Sequence, residues 1–491
     1  MLRYDVRFDD PASHHVDVEI RLGEVDGEVV LWMPTWTPGS YLVREFARNV
    51  RTPVAVDADG VARPLERVDK CRFRTRGDGT ERTIRYRVYA FELTVRTSFV
   101  EDGNALLNGH SIFLAVAGRE REPIELGVRL PAGWDVATGL EERDATSGTR
   151  RFGASHYDDL CDHPIQCGRF ERLPFEVEGK PHEVVLVGAG NPDRERLVED
   201  TRRIVETAAA TFGPLPYERY LFLVQHSAAG RGGLEHENSS VLQFPRFGYS
   251  DPRLYHDFAT LVAHEHFHVW NVKRTVPRDF VPYDLVGETY SRLLWVSEGF
   301  TAYYDELLTA RAGVATEDRY LERLGEEISR YRETPGRLVQ SLADASLLAW
   351  VGLYRPDEAS PNATVSYYQK GALVALLLDL EIRRLTGGEG SLDDVMRTLF
   401  ARFPAASDGF TEDDLIGIVA ERAGADLAPF FETAVHGTDE LDFEAALAGV
   451  GLRLERKASS PPRVRDLLGV RIRKGSRRLR IDTVETGSPA A

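Results

Sequence analysis

His264-Glu265-His266-Phe267-His268 is an HExxH pentapeptide, and its spacing constrains this chain more than any other stretch. On a helix, positions i and i+4 lie one above the other on a single face, so the imidazoles of His264 and His268 can reach one metal ion. Glu265 stands one position on, beside that ion's water. A metal held this way lowers the pKa of its water toward about 7, and the neighbouring carboxylate takes the proton as the water attacks. The flanks favour a helix. Phe258, Leu261, Val262 and Val269 make an apolar stripe leading into and past the motif, and no proline interrupts 254–271. A purely structural helix is the weaker reading, because two histidines and a glutamate on a buried face need partners that such a role seldom supplies.

At 491 residues the chain is long for one core and points to about two to four domains. Its 42% hydrophobic and 28% charged residues are ordinary for a soluble protein. No apolar run approaches the roughly 20 residues of a membrane span. The formal charge of -17 argues against nucleic acid and anionic membranes, which call for a basic face. The start runs directly into strand-like alternation without a signal-peptide apolar region, so a cytoplasmic setting is expected. Cys71, Cys161 and Cys167 are too few for a disulfide framework and lack the paired spacing of a structural zinc site; they read as plain thiols.

Period-2 alternation in Val16-Val18-Ile20-Leu22 and Ile84-Tyr86-Val88-Ala90, with turns such as Thr37-Pro38-Gly39-Ser40 between such runs, predicts an N-terminal antiparallel β-sandwich-like domain over 1–172. From there to 325 the pattern is mixed, with a strand at Leu221-Phe222-Leu223-Val224, a glycine-rich turn, and the helix carrying HExxH. Helices dominate 326–455: Ser391 and Thr411 precede acidic residues as helix caps should, Phe410 can form a hydrophobic staple, and Ala372 to Leu385 is strongly apolar. A linker at Lys457-Ala458-Ser459-Ser460-Pro461-Pro462 opens the segment 456–491, where Leu468 to Ile472 and Leu479 to Val484 alternate like two short strands.

Catalytic zinc usually keeps three protein ligands and one open position, so a third ligand is needed. Glu288, 20 positions after His268 (288 − 268), has the more familiar interval; Glu298, 30 after it (298 − 268), lies in Trp295-Val296-Ser297-Glu298-Gly299. The run from His264 to Arg274, followed by Leu293-Leu294-Trp295, by Glu298-Gly299 and preceded by Trp36-Thr37-Pro38-Gly39-Ser40-Tyr41, resembles the glycyl aminopeptidase family of zinc peptidases over nearly the whole chain. That resemblance implies a multidomain α+β fold: an N-terminal antiparallel β domain, a thermolysin-like zinc peptidase domain over 173–325 with a mainly helical C-terminal half, and an incomplete PDZ-like tail. It also implies Glu298 as the third ligand, since the interval after the second histidine is longer in this family. Asp305, seven residues on and on the same helical face, is a candidate to orient a ligand histidine from behind.

Gly233-Leu234-Glu235-His236 is similar to the G-x-M-E-N element of the aminopeptidase N group, which implies Glu235 as the anchor for a free α-amine; His236 stands where asparagine is expected. The glycines there would let the backbone approach a bound peptide, as on an exposed edge strand. Tyr368-Gln369-Lys370-Gly371 is similar to the Y-E-K-G segment of the same enzymes, which implies Tyr368 as the donor to the oxyanion, with Tyr367 as its rival. His110 and His226 read as structural histidines. The resulting expectation is a zinc aminopeptidase with one zinc per chain, acting on peptides with a free N-terminus and preferring glycine or alanine. A zinc endopeptidase and a non-catalytic peptide-binding PDZ protein are the alternatives.

Overall fold

A computed structural model of the chain describes residues 1–146, 148–455, 468–472 and 480–491. They form two compact units: Met1–Glu206 with Leu215–Val269 and Asp284–Glu288, and Thr207–Pro214 with Trp270–Tyr283 and Thr289–Ala491.

The first unit begins as a two-layered β structure. The long strands His15–Trp32 and Arg72–Tyr89 pair antiparallel with Val16 opposite Val88, Val18 opposite Tyr86 and Ile20 opposite Ile84. Alternate residues are buried along both, which is the period-2 pattern of a sheet with one face on a core. They lie in a ten-stranded sheet in which Leu2–Arg7 and Ile124–Arg129 run parallel. A four-stranded sheet of Asp135–Thr138, Ile165–Gly168, Asn104–Leu107 and Phe99–Glu101 shares its core, so the N-terminal part is β-rich, and the parallel pair departs from the purely antiparallel expectation. Inside, Tyr4, Tyr157 and Tyr86 donate their phenols to the carbonyls of Leu114, Phe113 and Ile112, satisfying a buried stretch of backbone that no strand partner reaches.

The same unit continues into a five-stranded sheet, ordered Phe170–Val177, Lys180–Val187, Tyr220–Ser227, Ser239–Pro245, Gly232–Glu235. The middle three strands are parallel, and Tyr220–Ser227 is buried at every position, as a central parallel strand should be. Gly232–Glu235 pairs antiparallel with Ser239–Pro245 and forms the edge. Helix Pro252–Phe267 follows, started by the Asp251 carboxylate, which accepts from the amides of Arg253 and Leu254, and by Pro252 in the first turn. The helix does not run past the motif to Val269 as its apolar stripe suggests. It ends at Phe267, with His268 as its cap, and Val272 adopts a φ of 105°.

The second unit is helical, with Phe300–Arg311, Glu317–Arg332, Tyr367–Thr386, Leu392–Arg402 and Glu412–Ala423 as its main helices. Ser391 and Thr411 form capping boxes with Asp394 and Asp414, as expected, and Phe410 and Leu415 are both buried. The apolar helix read from Ala372 starts five residues earlier, because Ser366 caps it by accepting from the Gln369 amide. Val470–Ile472 and Ile481–Val484 pair as the two expected short strands. The linker at 457–462 and Leu479 lie outside the described residues. The three cysteines are free and buried. Among the described residues no helix is long and apolar enough to cross a membrane.

Candidate active site

In the first unit, His264 sits in the last turn of the motif helix and His268 caps it, their ring centroids 4.9 Å apart and nearly perpendicular. Glu265 is buried against the edge strand: a Cβ on Gly233 would collide with its carboxylate, so only glycine lets that strand pass so closely over the acid. Glu235, two residues along, faces the same side of the sheet. Ligand atoms of Glu235, Glu265 and His268, all buried, lie within 4.8 Å of one another. Two buried carboxylates this close repel, and a cation beside them offsets that cost. Carboxylate and imidazole donors are also what a zinc site uses, so the residues fit the metal the motif implies.

Glu235 has a second neighbour that the sequence reading did not connect to it. A Cβ on Gly39 would stand 2.5 Å from the Glu235 carboxylate, and Gly39 has a φ of 81°, so the position excludes other residues on two grounds. The loop carrying Gly39 is held by Trp36, whose indole donates to the carbonyls of Asp284 and Gly287, and by Thr37, paired with His110 Nδ1 at 3.0 Å. His236 lies just past the end of the strand, its amide donating to the Ser239 carbonyl. Its Nδ1 lies 3.2 Å from Asp162, whose other oxygen accepts from the Glu237 amide and clips the turn. His226 is bonded to the Gly188 carbonyl and the Tyr249 hydroxyl, a structural role as expected.

The middle of the motif carries chemistry the sequence reading passed over. His182 Nδ1 lies 2.9 Å from the Lys180 carbonyl, so that nitrogen holds the proton and Nε2 accepts from Tyr217. The Tyr217 oxygen then accepts from His266 Nε2 at 2.7 Å. This chain of three side chains ties the motif helix to the strand Lys180–Val187 and fixes both tautomers. Burial holds His266 well below the usual histidine range and pushes His182 down to about 4, so both rings are neutral.

In the second unit, Glu298 is 2% exposed and lies in a turn of π-helix, Trp295–Gly299, that leads into helix Phe300–Arg311. Such turns recur at functional sites. Asn271 clamps it, its amide donating to the carbonyls of Val296 and Ser297 and to the Thr301 hydroxyl. Gly299 and Gly371 touch: a Cβ on either would stand 2.5 or 2.8 Å from the other's Cα. Two motifs 72 positions apart in sequence (371 − 299) therefore meet through their glycines. Tyr367 is wholly buried and stacks on the half-buried Tyr368 at 4.9 Å, leaving Tyr368 the accessible phenol. Burial pulls the Lys370 ammonium of the same motif down to about 8. Asp305 is half-buried, and its neighbour Glu306 is engaged by Arg323. Glu288, the other candidate ligand, belongs to the first unit and is exposed.

Two family models match the chain, the peptidase M61 N-terminal domain over residues 3–169 and M61 glycyl aminopeptidase over residues 257–374. Among solved structures, an aminopeptidase N family protein from Idiomarina loihiensis is 32% identical, with a TM-score of 0.94 covering 99% of this chain and 86% of that one. An M1 zinc metallopeptidase mutant from Deinococcus radiodurans, alone and bound to a Tyr-Ser-Ala substrate, shares the fold at 15% and 16% identity; both TM-scores are 0.53, over 90% of this chain and 94% of that one. No match is found among curated proteins. The class these findings define is that of the peptidases, hydrolases of peptide bonds. Within it, the chain belongs to the M61 glycyl aminopeptidase family.

Proposed function

We propose that the protein is a zinc-dependent aminopeptidase that releases small N-terminal residues, glycine or alanine, from peptides. The observation that carries this reading is the meeting of Glu235, Glu265 and His268 in one buried cluster, which supports the roles proposed for them as amine anchor, general base and metal ligand. His264, His268 and Glu298 are proposed as the ligand set, two imidazoles and a carboxylate; the burial of Glu298 and the exposure of Glu288 support that choice. Zinc bound there supplies a Lewis acid and a water of lowered pKa. Glu265 takes the proton of the attacking water and returns it to the leaving amine. Glu235 pairs with the substrate's α-ammonium, which bars longer N-terminal extensions. Gly233 lets the peptide backbone approach, His236 holds the turn behind Glu235 through Asp162, Tyr368 donates to the oxyanion, and Asp305 orients a ligand from behind. The division at 172, 325 and 455, a PDZ-like character for the C-terminal strand pair, and a reducing cytoplasmic setting, in keeping with three buried thiols, are proposed with it.

The test is release of free amino acid from Gly-, Ala- and Leu-peptides, with and without N-acetylation, using zinc-loaded protein and a chelator control. Chelator-sensitive release from unblocked peptides alone is expected, faster for Gly and Ala. Glu265→Gln is expected to lower kcat by roughly a thousandfold or more with metal content per chain unchanged. Equal cleavage of acetylated peptides would make it an endopeptidase.

A further inference from the structure

The loop 91–98 places a guanidinium at the far end of the edge strand from Glu235. Arg96 Nη1 lies 3.7 Å from where a Cβ on Gly232 would stand, with Val95 beside it. The loop is braced: Gln243, on the neighbouring strand, donates to the Leu93 carbonyl; Thr94 and Thr97 bond each other; and Thr97 donates to the Glu92 carbonyl. Arg96 also lines a cavity of about 450 Å³, whose wall carries Arg44, Arg48, Glu45, Glu92 and the exposed ring of Phe91. Three arginines against two glutamates leave the wall net positive in a chain whose formal charge is -17. Among the described residues Arg96 has no carboxylate partner, and its Nε is buried without a hydrogen bond. A half-buried guanidinium with none of its donors used by a carboxylate is suited to an anion that comes from outside.

The direction in which a peptide would pass follows from the strand. Glu235 stands at its C-terminal end and Gly233 at the base Glu265. A peptide whose amine is held by Glu235 brings its first bond to Glu265 only by running back along the strand, antiparallel, toward Gly232. At about 3.3 Å per residue, the three positions from Glu235 to Gly232 correspond to roughly 10 Å, or about three residues of substrate. Gly232 faces the side of the sheet opposite Gly233 and Glu235, which is the side where Arg96 stands.

We propose that Arg96, which lines this cavity, is a carboxylate subsite of the peptidase that selects short peptides bearing a negative charge at about the third residue. The inference rests on the aminopeptidase reading and names its substrate class: tripeptides with a free C-terminus, or longer peptides with an acidic side chain there. The two sources share one chemistry and are separable by amidation.

KM is measured on the zinc-loaded full chain for Ala-Ala-Ala, its C-terminal amide and Ala-Ala-Asp-amide, with wild type, Arg96→Gln and Arg96→Lys. In wild type the free acid is expected to have a KM about tenfold below that of the amide, the scale of one charge-assisted hydrogen bond. Arg96→Gln is expected to erase that ratio and Arg96→Lys to restore part of it. If Ala-Ala-Asp-amide behaves like the free acid, the subsite takes an acidic side chain; if it behaves like Ala-Ala-Ala-amide, it takes the terminus; either supports the proposal. Equal KM for all three peptides in wild type, or a preference for the charged peptides that Arg96→Gln leaves intact, overturns it. Turnover of alanine p-nitroanilide, too short to reach Arg96, reports separately on the aminopeptidase reading, and its absence would remove both.

Discussion

The motif helix Pro252–Phe267 and the π-helical turn Trp295–Gly299 each bury a candidate site acid, and they orient it by opposite means. Around Glu265 the ordering is by side chains: the Asp251 cap at one end of the helix, the His182–Tyr217–His266 chain on its inner side. Around Glu298 it is by backbone: carbonyls gripped by Asn271, and a glycine whose Cα rests on another glycine. An acid oriented by side chains can lose a partner and keep its fold. One oriented by backbone contact tolerates no added atom, because there is no rotamer through which the strain can leave.

The comparison is broken most severely at Gly371→Ala. Its new Cβ would meet Gly299 Cα at 2.8 Å and the Trp295 carbonyl at 3.0 Å, so a loss of about 3 kcal/mol of stability is expected together with loss of activity, read by urea unfolding and by turnover. A wild-type melting curve for Gly371→Ala would show that the π turn yields. Tyr217→Phe is the counterpart on the motif helix. It leaves a donor on His266 and an acceptor on His182 buried without their partner, for about 2 kcal/mol, while the fold and metal stoichiometry are retained. The smallest effect is in acid. His182 is held near 4 in the folded chain against 6.5 for the free side chain, so the unfolded state binds more protons between those values. Stability therefore falls as pH drops from about 6.5 to about 4, and a melting temperature followed over that range is expected to decline less steeply in His182→Gln than in wild type.

What was legible in sequence follows the same division. HExxH could be read because helical spacing alone brings two imidazoles to one face, and the long strands because Val16, Val18 and Ile20 alternate. The end of the motif helix could not, since no glycine or proline follows Phe267 to stop it; the stop is His268 serving as cap. The π turn was equally hidden, because it depends on Asn271, 24 positions before its start at Trp295 (295 − 271), rather than on local propensity. Trp36–Tyr41 carried a family resemblance but no role until Gly39 proved to lie against Glu235. Glycines are the common thread: at Gly39, Gly233, Gly299 and Gly371 the information lies in a missing side chain, and what that gap admits is supplied by a distant part of the chain.

The three phenols bonded to the Ile112–Leu114 carbonyls have an optical consequence. Burial drives Tyr4, Tyr86 and Tyr157 far above the usual tyrosine range, so in strong alkali they stay un-ionised while exposed rings turn to tyrosinate. Their absorbance change is deferred until the β domain opens, and it then arrives together with unfolding, which makes them a built-in chromophore for that event.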